Sequence, residues 1–189
     1  MDRAEARGRL LEAADELFYV QGLHAVGMDK VRDRSGVSLA RLYELFPSKQ
    51  HLVTGYLRAR DERWRASLAA HVDAVAADGP PRRRLLAVFD WLALWFADPG
   101  FHGCGFVNAW AEATPGNSLI HAAVEEHKAA FRDYLGSLGG TDVPGELIDQ
   151  LYILVEGAIV TAAVTGQDDT AATARAAASQ LLGAGWADN

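Results

Sequence analysis

Three groups of residues in this 189-residue chain carry side chains suited to chemistry. The first is a lone thiol, Cys104, in the segment FHGCGF. A thiol reacts when it is exposed and a nearby cation favours its thiolate. No strongly basic residue stands in that segment, so it reads as a buried packing cysteine. The second group is His121, Glu125 and His127. The two histidines are six positions apart and face different sides of a helix, which describes a solvated face better than a metal site. The third is a set of polar groups among rings. Nine of the seventeen aromatic residues fall between positions 85 and 134, with Asn108 and Glu112 one turn apart, while Glu156 sits within LYILVEGAIV. Bulky rings with isolated polar groups between them suit a cavity better than a close-packed core. Trp64, Trp91, Trp95, Phe131 and Tyr152 would wall it. Asn108, Glu112 or Glu156 would anchor a small, largely apolar or aromatic guest, because a buried carboxylate is costly unless paired. No phosphate-cradling glycine loop, nucleophile elbow or Ser/His/acid set appears, so nothing points to an enzyme and no cofactor is implied.

The elements that must position these groups are helices throughout. Apolar residues recur at helical spacing and never alternate as in a strand. Leu10, Ala14, Leu17 and Phe18 share one face of a first helix ending near Gly22. A short helix follows from about Met28 to Arg34, and another from about Ser38 to Leu45. A long one runs from about Ser48 to Val75 and stops at Asp78-Gly79-Pro80-Pro81. Residues 82–97, about Phe106 to Ala113 and about Asn117 to Leu138 form three more. The linker Gly139-Gly140-Thr141-Asp142-Val143-Pro144 precedes the eighth, to Val164, and the ninth spans about Asp168 to Leu182. The last two carry small residues, Gly157, Ala158, Ala162 and Ala163, then Ala171, Ala174, Ala177 and Ala178, which let helices approach closely.

Half of the residues are hydrophobic, which excludes wholesale disorder, and a single cysteine excludes an intrachain disulfide framework. No run approaches the roughly 18 consecutive apolar residues of a membrane span, and MDRAEARGRLLEAADELF lacks the layout of a signal peptide, so no membrane partner and a cytoplasmic location are expected. The net charge of −7 conceals a contrast: residues 1–60 hold ten Lys/Arg against eight Asp/Glu. An acidic protein as a whole repels DNA, so only this N-terminal part is electrostatically suited to read it.

That part contains a corner. Ser35-Gly36-Val37-Ser38 joins two short helices, glycine permitting the tight turn and Ser38 capping the second helix. Val31, Val37 and Leu42 pin the two together, while Leu42 and Phe46 belong to the core. This is the layout of a helix-turn-helix, whose second helix enters a major groove.

From about Arg9 to Leu57 the elements LLEAADELF, Gly22, Val31, GVS, LY, F and SK follow in order. This stretch resembles the TetR family of bacterial transcriptional regulators. The remainder is similar in helix count, in length and in the GC, VN and E pattern near residues 103–112. The resemblance implies an all-α, nine-helix fold, with a DNA-binding domain over 1–47 and a ligand-binding and dimerisation domain over 48–189. It implies that Tyr43 and Lys49 contact phosphate, as a hydroxyl, an ammonium and free helix-end amides allow. It also places Ser38, Leu39, Ala40, Arg41, Glu44 and Leu45 toward the duplex. The Arg41 fork suits guanine O6 and N7, Glu44 suits cytosine N4 and Leu39 a thymine methyl. Gly27 stands where the family often has a hydroxyl. The implied partners are a palindromic double-stranded operator, a small-molecule inducer held among helices four to eight, and a second copy docked through the last two helices. Repression relieved by inducer is the expected outcome.

Overall fold

The computed structural model describes residues 1–167 and 169–184. Those residues form nine α-helices and no strand: α1 (Arg3–Gln21), α2 (Met28–Ser35), α3 (Leu39–Leu45), α4 (Lys49–Ala76), α5 (Pro81–Phe96), α6 (Gly105–Glu112), α7 (Ser118–Gly139), α8 (Gly145–Thr165) and α9 (Thr170–Ala184). Every expected helix is present, with ends displaced by one or two residues. Asp168, the expected start of the ninth, lies outside the described residues.

The ends have local causes. The Asp2 carboxylate accepts from the Glu5 amide at 2.8 Å and opens α1. Pro81 occupies the first turn of α5, where a missing N–H costs nothing. Gly36 ends α2 at φ +67°, ψ +15°, a left-handed conformation that closes a helix without the penalty a Cβ would bring.

The chain divides into two compact units. One comprises residues 1–63 and 104–128, the other residues 64–103 and 129–189, so α4 and α7 each contribute to both. The expected boundary after residue 47 does not coincide with this division, because α6 and the first half of α7 group with the N-terminal helices. In the first unit α1, α2 and α3 pack on one another around Leu10, Ala14, Val31 and Leu42, which are wholly buried. In the second, α5 packs on α9 and α8, and α8 on α9.

The α8 helix has the length and mean hydropathy, 1.7, of a membrane-crossing segment, with only a third of that window buried. It nevertheless carries Glu146, Asp149 and Glu156. Ile148, Leu151, Val155 and Ile159 are buried, while Ile153, Val160 and Val164 face outward.

Candidate nucleic-acid interface

The α3 helix presents one face inward and one outward. Leu42 is completely buried and Phe46 nearly so, with Val31 and Val37 buried beside them in the chain's corner. Ser38 caps α3, its hydroxyl accepting from the Arg41 amide at 3.3 Å. Ser38, Leu39, Ala40, Tyr43 and Glu44 are exposed, Tyr43 by 46%. Arg41 is half-buried, and so is Leu45. Local chemistry thus projects an arginine and a phenol from the same short helix whose apolar side is anchored.

The charges on this face are already organised. Glu44 receives the Arg41 guanidinium at 2.7 and 2.9 Å and the Arg3 guanidinium at 2.8 Å. The Arg41 hydrogen bond, with the Arg3 charge adding to it, holds the Glu44 carboxyl below the usual carboxylate range. The acid that would repel phosphate is therefore bracketed by two cations. Arg3, which the sequence pattern did not single out, becomes part of the face through this contact. Arg34 reaches Glu16 at 2.5 Å, and Lys30 donates to Gln21 at 2.6 Å.

Lys49, the first residue of α4, is half-buried. Its ammonium donates to the Leu23 carbonyl and lies 5.9 Å from the centre of the Phe18 ring. Burial draws its pKa below the ordinary value, and the charge of Glu112 opposes that shift. Glu112 was expected at an effector cavity. Its carboxylate instead accepts from the His24 amide at 2.8 Å, within the first unit. Asn108, exposed on the same helix, belongs to that unit too.

The ring residues expected around a cavity do assemble in the second unit. Trp64 meets Trp91 edge-on with centroids 5.0 Å apart, and Phe131 at 5.1 Å. Trp91 stacks on Trp95 at 5.3 Å, and Phe131 meets Tyr152 at 5.8 Å. The Trp91 indole N–H donates to the Ser67 hydroxyl at 3.2 Å, giving a buried ring its polar partner. Glu156 lies half-buried on α8. Rings from α4, α5, α7 and α8 thus form one continuous cluster.

Two expectations about isolated groups change. His127 is not on a solvated face. It is 3% exposed, its Nδ1 lies 2.7 Å from Asp61 Oδ1, and its ring stacks on Phe106 at 3.5 Å. Asp61 stands 66 positions away in the chain, so no local spacing announces the pair. Cys104 is buried as expected, but a cation does approach it: Lys128 Nζ lies 3.6 Å from its sulfur, brought in by α7. Among the described residues no group of three or more His, Cys, Asp or Glu is placed to hold a metal.

A family model described as "Bacterial regulatory proteins, tetR family" matches residues 10–55. The chain is 48% identical over 58 residues to the HTH-type transcriptional activator FasR of Mycolicibacterium smegmatis, covering 31% of this chain and 26% of that protein. It is 38% identical over 82 residues to the HTH-type transcriptional repressor KstR of the same species, covering 43% and 38%. The chain thus spans well under two thirds of these curated relatives. A crystal structure of a TetR-type transcriptional regulator from Streptomyces avermitilis matches at 30% identity and a TM-score of 0.72, covering 95% of this chain and 97% of that one.

Proposed function

The chain belongs to the TetR family of bacterial regulatory proteins, DNA-binding transcriptional regulators rather than enzymes, and we propose that it acts as a homodimeric repressor released from a palindromic operator by a small aromatic or largely apolar inducer. The observation that carries this reading is the outward face of α3, where Arg41 and Tyr43 stand on a helix pinned from behind by Leu42. In this reading Arg41 leaves Glu44 to take guanine O6 and N7, and Tyr43 gives its hydroxyl to a phosphate. Leu39 and Ala40 meet apolar base edges, Ser38 fixes the helix start, and Glu44 orients Arg41 or accepts from cytosine. The site of action would be the cytoplasm, where the chromosome lies.

Two further features support the finer points. The ring cluster of Trp64, Trp91, Trp95, Phe131 and Tyr152, with Glu156 one turn from Tyr152 on α8, supplies the rings and the carboxylate that an aromatic inducer would meet on parting the packed cluster, in which Trp91 and Phe131 are buried. Separately, α8 and α9 frame an apolar groove of about 420 Å³ lined by residues such as Ile153, Gly157, Thr161, Ala174 and Ala177. Ile153 is 67% exposed and Val164 80%, surface that a second copy would cover. A two-fold dimer sets its recognition helices about 34–36 Å apart, one turn of the duplex. Inducer that prefers one arrangement of α4 lowers operator affinity by its differential affinity for the two states.

The test is a mobility shift with duplexes from the DNA flanking the protein's own gene, repeated with a panel of aromatic compounds while tryptophan emission is followed. A shifted band that a quenching compound abolishes is expected. Binding to duplex that no compound alters, with emission unmoved throughout, would refute the inducer assignment. A band that intensifies with compound would replace repression by activation.

A further inference from the structure

The peptide group joining Leu23 to His24 is held at both ends. Its oxygen accepts from the ammonium of Lys49, the first residue of α4. Its N–H donates at 2.8 Å to the carboxylate of Glu112, the last residue of α6. Gly22, at φ +81°, stands immediately before this peptide, and a Cβ there would lie only 2.9 Å from Glu112 Oε1. The carboxylate thus rests directly against the α1–α2 turn. A peptide with a cation on its oxygen and an anion on its N–H is polarised in one sense by both, so each charge-assisted bond strengthens the other. A neighbouring tie runs parallel: Gln50, the second residue of α4, donates to Asn117 in the α6–α7 turn.

Base reading requires side chains held to within about half an ångström by the surrounding shell. The α1–α2 turn feeds α2, and α2 sets α3 through the Gly36 corner. A shift of the Leu23–His24 peptide therefore reaches Arg41 and Tyr43. We propose that Lys49 and Glu112 form a peptide-bridged ion pair that fixes the reading helices on the start of α4, making Glu112 a positioning residue for specific DNA recognition although it touches no DNA. Lys49 serves as the other half of this brace rather than as a phosphate anchor. The proposal rests on the DNA-binding reading above.

The test compares wild type with Glu112→Gln, Glu112→Ala, Lys49→Met and the double variant Glu112→Ala/Lys49→Met. The probes are a 30-base-pair duplex enriched from a random library by the wild-type protein and a scrambled duplex of equal length, each titrated across a range of salt. Loss of one charge-assisted hydrogen bond should weaken the enriched duplex by about tenfold in Glu112→Ala and leave the scrambled duplex within about twofold. Lys49→Met should do the same without altering the salt dependence, and the double variant should be little worse than either single one. The His24 amide should exchange faster in all four variants, least in Glu112→Gln, whose side-chain oxygen still accepts. Should Glu112→Ala fail to fold, Glu112→Gln carries the comparison. Unchanged or tighter binding of the enriched duplex by Glu112→Ala would overturn the brace. So would a Lys49→Met protein that weakens on both duplexes alike with a salt slope shallower by about one, the mark of a lost phosphate contact. A wild-type protein that enriches no duplex would sink the DNA-binding reading, and this proposal with it.

Discussion

Replacing Gly36 by alanine isolates what the corner between α2 and α3 demands of the backbone. Gly36 has φ +67° and ψ +15°, and a Cβ built there would meet nothing within 4 Å. The penalty is therefore conformational alone. An L-residue in the left-handed region costs about 1–2 kcal/mol, with no steric addition in this open position. Asparagine, which tolerates that region through local hydrogen bonding, should cost well under about 1 kcal/mol. Tryptophan emission is a poor readout of the change, because α1, α2 and α3 carry no tryptophan of their own. The proper readout is amide exchange at the buried positions Val31 and Leu42, which should quicken about five- to thirtyfold in Gly36→Ala and much less in Gly36→Asn. Affinity for an enriched duplex should follow the same order, since strain at the corner is relieved by rotating α3. Equal exchange in Gly36→Ala and wild type would refute the conformational account. A loss in Gly36→Asn as large as in Gly36→Ala would show that the Cβ itself, not its backbone preference, is at fault.

Other outcomes follow from the same geometry. Arg41→Ala should cost about 1–3 kcal/mol on an enriched duplex and relax the preference at a single guanine, seen by re-enriching a library with the variant. Ile153→Asp places a charge in the α8–α9 groove and should convert the proposed dimer to a monomer in light scattering; a persisting dimer would locate the interface elsewhere. Burial holds the Tyr56 hydroxyl protonated well above the ordinary tyrosine range, with Arg60 opposing and Asp15 reinforcing the shift. An unfolded tyrosine ionises near about pH 10, before the folded one, so its contribution to stability is intact below that pH and declines above it. Tyr56→Phe should flatten the alkaline loss of stability measured by chemical denaturation, and an unchanged slope would show that other groups dominate.

What could be read from residue order alone was whatever is settled locally. The α3 cap is Ser38 bonding three residues ahead, the corner is one glycine, and the inward side of α3 follows from helical spacing of Leu42 against its neighbours. The grouping of rings was legible in part, since Trp91 and Trp95 share one face of α5 by their spacing, whereas their meeting with Trp64 and Phe131 depends on how α4 and α7 pack. Glu112 was not legible, because its partner His24 stands 88 positions away and a carboxylate among rings is equally compatible with a ligand anchor or a backbone clamp. Separation in the chain likewise hid Asp61 from His127, 66 positions apart, and Lys128 from Cys104, 24 positions apart. The division of the chain escaped for a further reason: α6 follows α5 directly in sequence, yet it groups with residues near the N-terminus.

The ion pairs of the N-terminal unit bear on how such a protein behaves in a crowded chromosome. Arg3, Arg34, Arg41, Arg58, Arg60 and Arg63 each already face a carboxylate. Of these, Arg3 and Arg41 share Glu44 on the α3 face, so in the DNA-binding reading each gives up a carboxylate to meet a duplex, and arbitrary sequence gains less from them than it would from unpaired guanidinium groups.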